Sequence, residues 1–253
     1  MFVIVNFSDN RKRRFEKFRK HIIKTKRCDL MGSAPFFVAE CHRDYFDPAE
    51  LEGIIKQCGT ALFKDGFIPR GFEKYQFVPS VLPLRMLVRS AASFFRDLPS
   101  AKRNISVCVI DEYAYAVEET AALSQYVRFV KVVSKRADLY SSAVEKAYNS
   151  FGAVIAVSSD GSLAEKSDLV ISLNDEKFNM SNIKCGIVYS KMTYSDSIFN
   201  VHESSFLLPG FKNETQGIDD FLFLCAVFET CGYKLSEIPI FCDIKSILFE
   251  TFT

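Results

Sequence analysis

The chain reads as an α/β protein of two domains, residues 1–83 and 84–253, the second built on a parallel sheet with helices on both faces. Three observations lead there. Short β-rich runs alternate with segments of helical period along both halves. A length of 253 residues suits two domains of common size. Between the halves, Gly66, Pro69, Gly71, Pro79 and Pro83 mark an irregular connection.

In the first half the pattern predicts a strand over 2–7, a helix over 11–24 and a strand over 35–41. Asp47-Pro48-Ala49-Glu50 then supplies an N-cap with Pro in the first turn, opening a helix that runs to about Cys58. A short strand is expected over 61–64. After the connection, Leu84, Leu87, Val88, Ala91, Phe94 and Phe95 recur at three and four, the spacing of an amphipathic helix expected to bridge the domains. The second half predicts strands over 105–110, 128–133, 153–157 and 168–173, with helices over 113–126 and 139–151 between the first three. Further strands are expected over 184–189 and 205–208, and a last helix over 218–231.

Composition narrows the classes. Apolar residues at 48% and charged residues at 25% are ordinary for a globular chain with a real core, and the 25 Phe are assigned to that core. With 32 basic against 31 acidic residues, no global field recommends nucleic acid or an anionic membrane. Eight cysteines are scattered without a C-x-x-C pair, which fits buried thiols in a reducing cytoplasm rather than a disulfide framework or a zinc site. The apolar start, residues 1–7, is too short for a signal-peptide core, and no run approaches the ~20 apolar residues of a membrane span. The expectation is a cytoplasmic protein with no membrane partner.

The strand over 105–110 should open a crossover helix, the place where dinucleotide binders carry G-x-G-x-x-G. This chain has Asp111-Glu112-Tyr113-Ala114-Tyr115-Ala116 there. Glycines let the backbone approach a pyrophosphate, and the helix terminus attracts it through free N–H groups and the dipole. Two carboxylates work against this: like unit charges about 4 Å apart repel by about 4 kcal/mol at an effective dielectric near 20. Asp111, Glu112 and Tyr113 therefore belong to the candidate site as residues that alter it.

At the end of the next strand stands Ser134-Lys135-Arg136, a small polar residue followed by bases, which suits the 2′-phosphate of NADP rather than the ribose diol of NAD. Ser158, just past the third strand, is placed with them. Phe151-Gly152 closes the following helix, and Leu163-Ala164-Glu165-Lys166-Ser167-Asp168-Leu169-Val170-Ile171-Ser172 leads into the fourth strand. Over residues 105–173 this Rossmann-like pattern resembles the NADP domain of shikimate dehydrogenase and is similar to that of glutamyl-tRNA reductase. The resemblance implies NADP as cofactor, with Ser134, Lys135 and Arg136 at the adenosine phosphate. The glycine loop of those families has no match here.

Three other constellations have plainer readings. Asp111, Glu112, Asp160 and Asp175, with Ser172 and Lys191, follow strand ends and resemble the acids, hydroxyl and Lys of a phosphoacceptor receiver domain. The short segment 161–167 leaves no room for that domain's crossover helix, so solvated loop acids and no metal are expected. Cys41 and His42 are nucleophile and base types, but neighbours on a strand point to opposite faces. The basic run from Arg11 to Arg27, read as one helix with Phe15, Phe18 and Ile22 on an apolar face, fits a docked surface helix better than a nucleic-acid footprint.

The sequence thus points to a protein binding a small molecule or nucleotide in the cleft between its domains in an altered mode, with catalysis left open. The alternatives are an NADP-dependent reductase and a nucleic-acid or partner-binding module using the basic helix over 11–27.

Overall fold

The computed structural model describes residues 1–8, 23–30, 34–97, 104–165, 167–173, 187–190, 199–201 and 215–231. Two compact units are present, one of Met1–Ser80 with Phe206–Ile240, the other of Val81–Ser205 with Phe241–Thr253.

The first unit holds a four-stranded sheet in the order β2-β3-β1-β4. Strands β1 (Val3–Ser8), β3 (Ala34–His42) and β4 (Ala61–Phe63) are parallel, and β2 (Lys24–Leu30) runs antiparallel along the outer side of β3. One face is closed by helix α1 (Pro48–Cys58), whose Leu51, Ile55 and Cys58 pack on Val3, Val5, Ala39, Ala61 and Phe63. The start of α1 is fixed as its sequence requires: the Asp47 carboxylate accepts from Ala49 N at 2.9 Å. Gly59 ends it at φ 92°, a conformation glycine adopts without strain. On the other face Phe2 stacks on Phe36 at 5.4 Å, and Phe223 of helix α5 (Asp220–Cys231) meets both rings edge-on at 5.7 and 5.5 Å.

Strand β2 corrects the expectation of one basic helix over 11–27. Residues 11–22 lie outside the described residues, while Lys24, Lys26 and Arg27 belong to an edge strand paired with Glu40, Val38 and Phe37 of β3. Pairing with β3 overrides the helical tendency of this charged run. Its exposed lysines and arginine also discourage further strand addition at that edge.

The second unit starts with helix α2 (Leu82–Asp97) and continues through β5 (Ser106–Ile110), α3 (Val117–Leu123), β6 (Phe129–Val133), α4 (Ser141–Phe151) and β7 (Val154–Ser158). Strands β8 (Leu169–Ser172), β9 (Ile187–Ser190) and β10 (Phe199–Val201) complete a six-stranded sheet in the order β10-β9-β8-β5-β6-β7. Every pair in it is parallel. Counted from β5, that is the order 3-2-1-4-5-6 of the Rossmann sheet, with the chain changing direction between β5 and β8. The expected strand over 205–208 lies outside the described residues.

Alternation along these strands sorts the two faces. Val107, Val109, Val130, Val132, Leu169 and Ile171 pack with Leu84, Leu87, Val88, Ala91 and Phe95 of α2 and with Ala121, Ala143 and Ala147 of α3 and α4. Cys108, Ile110, Val133 and Val170 point the opposite way and meet Ala164 of the short 3-10 turn Gly161–Ala164. Arg85 of α2 ties the helices together by donating to both carboxylate oxygens of Glu119 on α3, at 2.9 and 2.6 Å, and to Glu118 at 2.9 Å. No helix among the described residues is long and apolar enough to cross a membrane.

Candidate functional site

In an open α/β sheet, ligands collect at the carboxyl ends of the strands where the order reverses. Here that position lies between Ile110 at the end of β5 and Ser172 at the end of β8, which are register partners. Asp111, the next residue after β5, is fully buried and turned into the chain. Its Oδ1 accepts from Tyr115 N at 2.9 Å, and its Oδ2 accepts from Ala116 N at 2.8 Å and from the Tyr140 hydroxyl at 2.6 Å. These backbone donors lie just ahead of α3, and N–H groups at a helix start are the kind that bind anions. Here the chain's own Asp111 carboxylate takes them.

The loop bends to allow this. Ala114 has φ 60°, in the left-handed region that favours glycine, so the turn keeps a glycine-like conformation without a glycine. The helix expected from Tyr113 consequently begins at Val117, and Tyr113 and Tyr115 are left on the loop. Their rings are 57% and 40% exposed and 5.7 Å apart. Tyr140, which closes the 3-10 turn before α4, was not a sequence candidate. Nothing local to it signals a partner 29 residues away. Burial and the adjacent Asp111 carboxylate push its phenol up from the ordinary tyrosine value.

The residues expected to read an adenosine phosphate are engaged within the chain. Ser134 is buried, donates from its backbone N to Ser158 O at 2.9 Å, and accepts from Arg136 N on its hydroxyl at 3.1 Å. Lys135, 68% exposed, pairs with Glu112, and its backbone N donates to Glu112 O at 3.2 Å. Arg136 lies 3.6 Å from the Asp138 carboxylate. Ser158 accepts from Asp160 N at 3.0 Å, and Asp160 in turn holds Ser162 N at 2.9 Å. The structure therefore brings Asp111, Glu112, Ser134 and Lys135 to one end of the sheet, joined by pairs of their own.

Ser172 differs from these groups. Its side chain is 1% exposed, and its hydroxyl is one of four sealed polar atoms without a hydrogen-bond partner among the described residues. Of the others, Ser106 opens β5 at the opposite edge, Thr120 lies in α3, and Gln76 belongs to the first unit. Leaving a buried hydroxyl unmet costs about 1–3 kcal/mol. That cost falls on the switch point of the sheet.

Elsewhere the candidates have structural surroundings. Burial, reinforced by Glu50, pushes the Cys41 thiol up to about 12, which removes the thiolate a nucleophile needs. His42 Nδ1 accepts from Asp44 N at 3.3 Å, and its ring lies 5.0 Å from that of Tyr45. Asp175 and Lys191 lie outside the described residues. Among the described residues no three His, Cys, Asp or Glu side chains gather as metal ligands would.

No family model and no curated protein matches the chain. Solved structures similar to it include three with TM-scores of 0.30. The first is a lysine cyclodeaminase described by its recognition of L-lysine, L-ornithine and L-2,4-diamino butyric acid, at 14% identity over 44% of this chain and 35% of that one. L-tryptophan dehydrogenase from Nostoc punctiforme is 11% identical over 61% and 48%. Quinate dehydrogenase from Corynebacterium glutamicum, in complex with NAD, is 9% identical over 74% and 78%. The chain spans about a third of the first of these proteins and about half of the second. The fold rests on strand order and register: the second unit is a Rossmann-type domain in which Asp111 accepts from the backbone N–H groups just ahead of α3.

Proposed function

We propose that the second unit binds a nucleoside or a comparable small molecule at the carboxyl edge of its sheet, without a pyrophosphate at the start of α3 and without catalysis. The observation that carries this reading is the unmet Ser172 hydroxyl at the switch point. A ligand hydrogen bond there would recover the cost of burying it. The exposed rings of Tyr113 and Tyr115 offer faces on which a flat base can stack. The binding role, rather than a catalytic one, is supported by the acids nearby: Asp111 holds three donors, Glu112 pairs with Lys135, and Asp160 holds Ser162.

The experiment is a thermal-shift panel of adenosine, ATP, S-adenosylmethionine, NAD and NADP on the wild type and Ser172→Ala. The reading expects adenosine to stabilise the wild type and Ser172→Ala to weaken its binding by about tenfold. No shift with any of the five contradicts it.

The second reading is an NADP-dependent reductase, favoured by the exposed Lys135 and Arg136 at the end of β6. A 2′-phosphate must compete there with Glu112 and Asp138 for the same cations. If NADP binds and Arg136→Ala weakens it by about tenfold, this second reading replaces the first.

A further inference from the structure

The first sheet carries its own polar row. Phe2 and Phe36 face α5, so period-two alternation places Ile4 and Val38 on that face and then Asn6 and Glu40. On β4, Ala61 and Phe63 face α1, which sends Leu62 to the α5 side. Phe63 is extended, φ −99° and ψ 124°, so Lys64 leaves on that side as well. Register pairs Asn6 with Glu40 and Val5 with Phe63, which puts Lys64 level with Asn6. The row Glu40, Asn6, Lys64 thus crosses three parallel strands at their carboxyl ends and spans roughly 10 Å at the strand spacing of about 4.8 Å. Lys24 of β2 stands outside Glu40 in the same row.

The apolar face of these strands ends here in an exposed Glu40 and a half-buried Asn6, at the strand ends where ligands collect in open α/β sheets. The groups there are unspent. Among the described residues the side chains of Asn6, Glu40 and Lys64 make no hydrogen bond or ion pair. Lys64 is 9% exposed as a residue, with its stem covered and its ammonium at the surface.

We infer that this row is a second small-molecule site, in the first unit, and that its ligand is a zwitterionic amino acid. The ligand carboxylate meets the Lys64 ammonium. Its ammonium group donates to the Glu40 carboxylate, which as an ion only accepts, and the Asn6 amide, both donor and acceptor, lies between them. The opposite charges at the two ends of the row set the orientation.

The test uses the full chain and each of the standard L-amino acids in turn at millimolar concentration, read by thermal shift and then by calorimetric titration. At least one amino acid is expected to bind. Lys64→Met keeps the apolar stem and Glu40→Gln keeps the shape, and each is expected to weaken binding by about tenfold or more. The 2-hydroxy analogue of the bound amino acid should bind about tenfold more weakly than the amino acid itself. Ser172→Ala, in the other unit, should leave amino-acid binding unchanged, which separates this site from the nucleoside site. If Lys64→Met fails to fold, Glu40→Gln and the hydroxy analogue still decide. No binding by any amino acid, or binding indifferent to Glu40→Gln and to the analogue, overturns the assignment.

Discussion

The Tyr140 hydroxyl donates to Asp111 Oδ2 at 2.6 Å, joining the end of β5 to the start of α4 through a fully buried carboxylate. Hydrogen bonds to a charged group contribute about 1.5–3 kcal/mol each, and this carboxylate takes three. Asp111→Ala is therefore expected to destabilise the protein by about 3–5 kcal/mol, because it strands two backbone N–H groups and the phenol. Tyr140→Phe removes one donor and should cost about 1.5–3 kcal/mol. Urea denaturation measures both, and an Asp111→Ala midpoint equal to wild type would show that the carboxylate does not hold the loop.

Arg85 and Glu119 form a second buried tie, between α2 and α3, with side chains 16% and 7% exposed. Breaking such a pair from one side leaves an uncompensated charge, so Arg85→Ala should cost about 3–5 kcal/mol. Replacing both partners, Arg85→Met with Glu119→Leu, should cost much less than Arg85→Ala. A double-mutant cycle in denaturant gives the coupling directly.

The Lys135–Glu112 pair sits at the other extreme of solvent exposure. Lys135 is largely in water, so Lys135→Ala should change stability by less than about 1 kcal/mol even at low salt. The denaturation midpoint checks it, and a larger loss would give this turn a structural role beyond its surface charges.

Alkaline pH should destabilise the fold. The Cys41 thiol is pushed up to about 12 by burial and by Glu50, and the Tyr140 phenol is raised by burial and by Asp111. Both groups stay protonated in the folded chain at pH values where the unfolded chain releases them. Stability from Cys41 is thus complete below the ordinary thiol range and is lost as pH rises through its folded value, and Tyr140 adds its share above pH of about 10. Each group contributes a slope of about −1.4 kcal/mol per pH unit in its window. Cys41→Ala should flatten the fall that starts near pH 9, and a wild-type profile flat from pH 8 to 11 would contradict both assignments.

Much of this structure is written in local patterns. The parallel strands are short apolar runs, and Asp47-Pro48 opens α1 where a capping carboxylate and a first-turn proline belong. Strand β2 is not legible, because Lys24 to Asp29 buries only Cys28 and owes its extended form to the pairing with β3. The companion sheet of α5 is equally hidden, since Phe223 to Phe228 are apolar all round and the contact with Phe2 and Phe36 spans most of the chain. At the candidate site, the sequence shows acids in place of glycines. That Asp111 turns inward to satisfy the loop depends on Tyr140, a long-range partner with no sequence signal. The Glu40, Asn6, Lys64 row emerges only once register aligns three separate strands.

Calorimetric titration of the wild type with adenosine and with NADP separates the proposed nucleoside site from a dinucleotide site, since both ligands carry adenosine and NADP also brings a pyrophosphate towards donors that Asp111 already holds. Adenosine is expected to bind, and NADP to bind no more tightly than adenosine. NADP binding about tenfold or more tighter than adenosine, with that advantage lost in Arg136→Ala, would contradict it.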